Sequence, residues 1–232
     1  MKGDSHGARS KDLHGSARDW IHGLYAVTPE TADTSRLVSA VGEAIAGGAR
    51  VVQYRNKTGH RSLRHEQARA LRALCRNHGV PLIVNDDLDL ARESGADGVH
   101  LGKDDVPIGA ARALLGRGAL IGVSCYSDLE RAMDAERAGA SYVAFGSFYV
   151  SPVKPDAVRA PIELLMRARM MLCLPIVAIG GITAGNVGQL VAAGADAVAV
   201  ISGLFSTDDP RAAAQTFGAA FATLLPVSDR SD

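Results

Sequence analysis

The chain is short of the features that mark several large classes of protein. It has only three cysteines in 232 residues. Cys75, Cys125 and Cys173 lie far apart without C-x-x-C spacing, which argues against a zinc site or disulfide framework and fits a reducing cytoplasm. They read as small core residues. An excess of charge of either sign is also missing: 25 basic and 25 acidic residues give a formal net charge of zero. With the two signs interspersed, there is no basic face for nucleic acid or an anionic membrane surface. No apolar run approaches the ~20 residues of a membrane span. Residues 1–20 lack the apolar core of a secretory signal and are expected to form a disordered polar arm. A single domain over 21–226 and a polar tail over 227–232 complete the expected organisation. The turn after the first apolar run, Thr28-Pro29-Glu30, is not the G-x-G-x-x-G of a dinucleotide-binding sheet.

What is present is alternation. The composition, 47% hydrophobic and 22% charged, can fill a sizeable core. Eight short apolar runs, GLYAVT, ARVVQY, PLIVN, DGVHL, LIGVS, YVAFG, PIVAIG and AVAVI, alternate with segments of helical period such as SRLVSAVGEAIAGG and LERAMDAERAG. A Gly-Ala pair precedes every second run, at Gly48-Ala49, Gly95-Ala96, Gly139-Ala140 and Gly194-Ala195. Glycine there suits the left-handed residue that closes a helix. Four repeats of a two-strand unit, every strand apolar, imply an α/β chain closed into a (β/α)8 TIM barrel.

In such a barrel the working residues stand where strands end. The second strand ends in Gln53-Tyr54-Arg55-Asn56-Lys57, which puts an amide, a guanidinium and an ammonium on alternate positions facing one way, an arrangement suited to pyrophosphate. Asp86 and Asp105 follow the neighbouring third and fourth strands and so share one rim. Two carboxylates completed by phosphate oxygens are a usual set for Mg²⁺. Ser124 ends the fifth strand as a hydroxyl donor, and Lys154 lies in a long loop stiffened by Pro152 and Pro155. Gly180-Gly181 and Ile201-Ser202-Gly203 follow the last two strands, where bare glycine lets a phosphate reach backbone amides. Each signal has a plainer alternative. The cations can belong to a solvated loop, Asn85 and Asp105 to helix caps, Asp86 to a first helical turn where it suits the dipole, Ser124 to a turn, and the glycines to turns that need them for conformation. His100, inside the fourth strand, reads as a packed or hydrogen-bonded rim histidine rather than a base.

Gln53-Tyr54-Arg55-Asn56-Lys57, Val84-Asn85-Asp86, Ala96 to Gly102 with Asp105, Gly122-Val123-Ser124 and Ala178 to Ile182 together resemble the thiamine-phosphate synthase family from about Gly23 to Leu224. The resemblance implies a transferase that condenses a hydroxymethylpyrimidine pyrophosphate with a hydroxyethylthiazole phosphate and releases pyrophosphate. It implies that Gln53, Arg55, Lys57 and Asn85 hold the pyrophosphate and that Asp86 and Asp105 hold Mg²⁺. Ser124, Ser151 and Lys154 would bind further phosphate oxygens, and Gly181, Ile201 and Ser202 the thiazole phosphate. Arg55, Lys57, Ser124 and Lys154 are the expected catalytic set. The partners are these two small molecules, with no nucleic acid and no membrane, in the cytoplasm, and a homo-oligomer is left open. The sixth loop departs from the family's Gly-Pro-x-x-Pro-Thr-x-Thr-Lys pattern, with Ser151 keeping a hydroxyl and Val153 losing one before Lys154. The rivals are a related thiazole tautomerase, which needs no pyrophosphate clamp, and a silent phosphate-binding barrel.

Overall fold

The eight apolar runs become strands because each is buried on both faces, as a parallel sheet wrapped in helices requires. The structure is a computed structural model describing residues 16–150 and 158–222. Its strands are β1 (Gly23–Val27), β2 (Ala49–Tyr54), β3 (Leu82–Asn85), β4 (Gly98–Leu101), β5 (Leu120–Tyr126), β6 (Tyr142–Phe145), β7 (Ile176–Ile179) and β8 (Ala197–Val200). They pair in chain order, and β1 pairs parallel with β8 to close the barrel. The expected fold is therefore the observed one. β5 runs past its expected end at Ser124 to Tyr126, with a shift of register on the way.

The helices are α1 (Ala17–Trp20), α2 (Thr34–Ala46), α3 (Arg61–His78), α4 (Leu88–Ser94), α5 (Ile108–Leu115), α6 (Leu129–Arg137), α7 (Glu163–Met171), α8 (Val187–Ala192), α9 (Ser202–Phe205) and α10 (Pro210–Ala222). Asp33, Asp87 and Asp128 start α2, α4 and α6 by accepting the amides of Arg36, Leu90 and Arg131. All four repeat glycines take a positive φ, from 68° at Gly95 to 108° at Gly48. Inside the barrel, Tyr25, Val51, Ile83, Leu120, Tyr142, Val177 and Ala197 form one packed cluster. The outer faces of the strands pack on the helices in two more.

The repeats carry a second device that the sequence reading missed. Asp97, next after Gly95-Ala96, accepts the Leu82 amide at 2.8 Å and pairs with Arg72 at 3.1 Å. Asp196, next after Gly194-Ala195, accepts the Ile176 amide at 2.7 Å and pairs with Arg169 at 2.7 Å. Ser141 does the uncharged version, accepting the Ile121 amide at 3.0 Å. Each ties the start of the neighbouring strand to the floor of the barrel.

The expected arm ends differently from the reading. Residues 1–15 and the tail 227–232 lie outside the described residues. Ser16 and Asp19 form a capping box around α1, and Arg18 pairs with Asp196 at 3.0 Å and donates to the Cys173 carbonyl at 2.7 Å. Ala17 and Trp20 pack against the interior cluster, so α1, ahead of the expected boundary at residue 21, plugs the barrel. Cys75 and Cys125 are buried core residues as expected, but Cys173 is exposed. It sits in the turn between α7 and β7, where its backbone is held on both sides, the amide by Glu136 at 2.8 Å and the carbonyl by Arg18. No helix among the described residues is long and apolar enough to cross a membrane.

Candidate active site at the barrel mouth

The C-terminal ends of the strands open on a cavity of about 850 Å³. Ten of the expected site residues line it: Gln53, Arg55, Lys57, Asn85, Asp86, Asp105, Ser124, Gly181, Ile201 and Ser202. The other two, Ser151 and Lys154, lie outside the described residues.

The chain beyond β2 is braced from below. Thr28, fully buried, accepts the Arg55 amide at 2.9 Å. Gln67 of α3 accepts from the Tyr54 hydroxyl at 2.8 Å and the Asn56 amide group at 3.1 Å, and Asn56 in turn holds the Gly59 amide at 2.8 Å. Arg55 and Lys57 thus project from a stiff segment, and each meets a carboxylate. Glu30 takes Arg55 at 3.0 Å and Asp86 takes Lys57 at 2.9 Å. Glu30 went unnoticed in the sequence because nothing local marks it. The Thr58 hydroxyl, donating at 2.6 Å, is the main influence holding its carboxyl below the ordinary value.

The plainer alternative for the acids does not hold. Asp87 caps α4 and Pro107 stands at the N-cap of α5 without a side-chain hydrogen bond, so Asp86 lies ahead of the first turn of α4 and Asp105 caps no helix. Asp86 has φ 62°, in the left-handed region that costs a side chain energy and that aspartate tolerates better than most. Asp105 turns back to accept the Gly102 amide at 2.6 Å. Burial first, then the adjacent negative charge of Asp86, raises its carboxyl above the usual range. Arg131 of α6 fixes the turn by donating to the carbonyls of Ser124 at 2.8 Å and Gly102 at 3.1 Å. Among the described residues no group of three or more His, Cys, Asp or Glu side chains is placed to hold a metal. Two hard oxygen donors facing one another fit Mg²⁺ whose remaining positions go to phosphate and water.

Beneath the carboxylates lies a polar interior. His100 contacts the Ser124 hydroxyl at 2.8 Å and the Tyr142 hydroxyl at 3.1 Å. Burial holds its pKa down at about 4, so the ring is neutral, packed and hydrogen-bonded as its sequence position implied. Across the mouth the lining changes character. Gly180 and Gly181 have φ 103° and 62°, and a Cβ on Gly181 would stand 2.3 Å from the Val150 carbonyl. Among the described residues the amides of Gly181, Ser202 and Gly203 make no backbone hydrogen bond. Lys103 and Tyr126 also line the cavity, and the sequence reading did not single them out.

Fold and mouth together define a (β/α)8-barrel protein whose strand ends gather cations, paired carboxylates and open glycine turns around one cavity, a layout suited to phosphorylated substrates. The chain belongs to the thiamine monophosphate synthase family, whose sequence pattern matches residues 24–204. It is 56% identical over 205 residues to the thiamine-phosphate synthase of Thiobacillus denitrificans, covering 88% of this chain and 97% of that one. The thiamine-phosphate synthase of Nitrosospira multiformis is 53% identical over 211 residues, or 91% and 90% of the two chains. Among solved structures, thiamine phosphate pyrophosphorylase from Pyrococcus furiosus superposes with a TM-score of 0.79 at 33% identity, over 90% of this chain and 99% of that one.

Proposed function

We propose that the chain joins a hydroxymethylpyrimidine pyrophosphate to a hydroxyethylthiazole phosphate, forming thiamine phosphate and releasing pyrophosphate. The observation that carries the reading is one cavity holding Arg55, Lys57 and the Asp86–Asp105 pair on its β2–β4 side and glycine turns on its β7–β8 side. In this reaction the methylene C–O bond breaks and its electron pair leaves with the pyrophosphate. The thiazole nitrogen lone pair makes the new C–N bond and becomes the thiazolium. The protein need supply neither a nucleophile nor a strong base, only charge neutralisation and alignment.

Arg55 and Lys57 take the growing charge on the leaving group, and Asn85 and the Ser124 hydroxyl hold its orientation. Gln53 spends its amide nitrogen on Tyr25 and keeps its amide oxygen for a substrate donor. Asp86 and Asp105 would hold Mg²⁺, which when bound neutralises phosphate oxygens as a Lewis acid. The amides of Gly181 and Ser202, beside Ile201, receive the thiazole phosphate opposite. Lys154 and Ser151 complete the set by their place in the family pattern. Soluble phosphorylated substrates and unpaired cysteines suit a cytoplasmic enzyme.

The test is direct. Purified protein given both substrates and MgCl2 is expected to form thiamine phosphate and pyrophosphate in equal amounts and to stop when the metal is chelated. Product formation indifferent to chelation would overturn the metal's role. Turnover of the thiazole phosphate with no pyrimidine substrate present would point to the tautomerase instead.

A further inference from the structure

We propose that a one-way hydrogen-bond chain through the barrel interior, from Gln53 to Tyr25, Tyr142, His100 and Ser124, fixes His100 as its Nε2–H tautomer and leaves the Ser124 hydroxyl proton for the diphosphate. The proposal rests on the reading of Ser124 as a diphosphate ligand. It makes Tyr25, Tyr142 and His100 positioning residues that act through Ser124.

The links are short and come from five different strands. Gln53 on β2 donates its amide Nε2 to the Tyr25 hydroxyl of β1 at 2.9 Å. The hydroxyls of Tyr25 and Tyr142 of β6 lie 2.7 Å apart. The Tyr142 hydroxyl is 3.1 Å from Nδ1 of His100 on β4, and Nε2 of that ring is 2.8 Å from Oγ of Ser124 on β5. Ring packing holds the middle members in place. The two tyrosines meet edge-on at 6.0 Å, and His100 stacks on Tyr142 at 5.6 Å.

Counting protons gives the direction. Tyr25 and Tyr142 are 1% and 0% exposed, so neither hydroxyl proton can turn to solvent, and a buried donor without an acceptor is costly. The Tyr25 oxygen already receives the Gln53 N–H, so its own proton goes to the Tyr142 oxygen. The Tyr142 proton then has His100 Nδ1 as its acceptor. That nitrogen must carry a bare lone pair, which places the ring proton on Nε2, donated to Ser124 Oγ. Ser124 lines the cavity, and among the described residues its hydroxyl has no other side-chain partner. Its proton is therefore the first in the series to point out of the protein. The reverse direction would aim the buried Tyr25 proton at the Gln53 nitrogen, which cannot accept it.

An anionic oxygen needs donors, and a Ser124 whose proton was spent on His100 would offer that oxygen only lone pairs. The interior chain thus keeps the serine in its donating state before substrate arrives, without a charged group behind it. It also explains why two tyrosine hydroxyls stand beside the aliphatic side chains of the interior cluster.

Long-range proton–nitrogen correlation spectra of ligand-free protein labelled with 15N-histidine test the direction. The His100 signals are assigned by their loss in His100→Asn. The Nε2–H pattern is expected in the parent and a mixture of tautomers in Tyr142→Phe. In kinetics, Ser124→Ala and Tyr142→Phe are each expected to raise the KM for the pyrimidine diphosphate about three- to tenfold, the loss of one hydrogen bond. The double variant should be no worse than Ser124→Ala alone, whereas a merely structural Tyr142 would give multiplied effects. An Nδ1–H tautomer in the parent, or multiplied effects, overturns the chain. An unchanged KM in Ser124→Ala overturns the reading of Ser124 as a ligand, and the proposal with it, whatever the tautomer. Should Tyr142→Phe not fold, Tyr25→Phe breaks the same chain one link earlier, and the parent's tautomer needs no variant.

Discussion

The two rims of the barrel use aspartate in opposite ways. At the floor, Asp97 and Asp196 each accept a strand amide and an arginine, so each is already engaged by two donors of the protein itself. At the mouth, among the described residues, Asp86 has Lys57 as its ion-pair partner, Asp105 accepts the Gly102 amide, and the two acids face each other. The Asp97 side chain is 11% exposed and that of Asp86 32%. A carboxylate saturated with donors is a fastening. One that confronts a second acid, with lone pairs to spare, keeps a place for positive charge. Residue type cannot separate these roles; the count of donors around each acid does.

Substitutions at the two rims should therefore fail in different assays. At the mouth, Asp86→Asn or Arg55→Ala is expected to lower kcat/KM for thiamine phosphate formation by about 100- to 1000-fold. Stability should stay within about 0.5 kcal/mol of the parent. A melting shift large enough to explain the lost activity would erase the distinction. At the floor, Asp97→Ala should reverse the pattern. It strands the Leu82 amide, leaves Arg72 with only the Gly95 carbonyl among the described residues, and is expected to cost about 3 kcal/mol in denaturant unfolding. Turnover per folded molecule should stay near the parent's, and a collapse of kcat in the folded fraction would contradict the assignment.

The mouth also contains a structural member, and it is uncharged. His100 has a pKa of about 4 against the ordinary 6.5. As pH falls the unfolded chain takes up this proton first. The stability His100 contributes is complete above about pH 6.5 and is lost progressively toward pH 4, amounting to roughly 3 kcal/mol. Urea unfolding across that range should slope in the parent and flatten in His100→Gln, and equal slopes would remove His100 from the account.

The smallest effect sharpens the comparison most finely, because Glu30 is a mouth acid that holds a cation instead of awaiting one. Its pair with Arg55 is partly exposed, so Glu30→Gln should release a competitor of the diphosphate at modest gain. Inhibition by pyrophosphate is expected to tighten about two- to fivefold. Unchanged inhibition would make Glu30 a brace for Arg55 and nothing more.

Much of this was legible in the chain before folding. Asp86 and Asp105 follow neighbouring strands, and that alone put them on one rim. Gln53, Arg55 and Lys57 alternate at a strand end, and alternation alone aimed them into one cavity. What escaped was whatever depends on a partner distant in sequence. Glu30 gains a role only because Arg55 lies across the β1–β2 pairing. Asp97 looked like an ordinary repeat residue until Arg72 and the Leu82 amide met it. The α1 plug fell inside a polar stretch whose composition suggests no order, and its hold on the floor comes from Asp196 and the Cys173 carbonyl. Cys173 was misread for a related reason, since its surroundings in sequence are apolar while the turn that holds it is open to solvent.

By itself the sequence determined the order of buried strands, the closing of their helices and the residue standing at each strand end. Those follow from periodicity and from the conformations glycine permits, which are properties of neighbours along the chain. Tertiary structure alone decided which acids are satisfied and which are not, and which way the protons point between Gln53 and Ser124. A hydrogen bond is completed by a partner from another strand, and only the closed barrel supplies that partner.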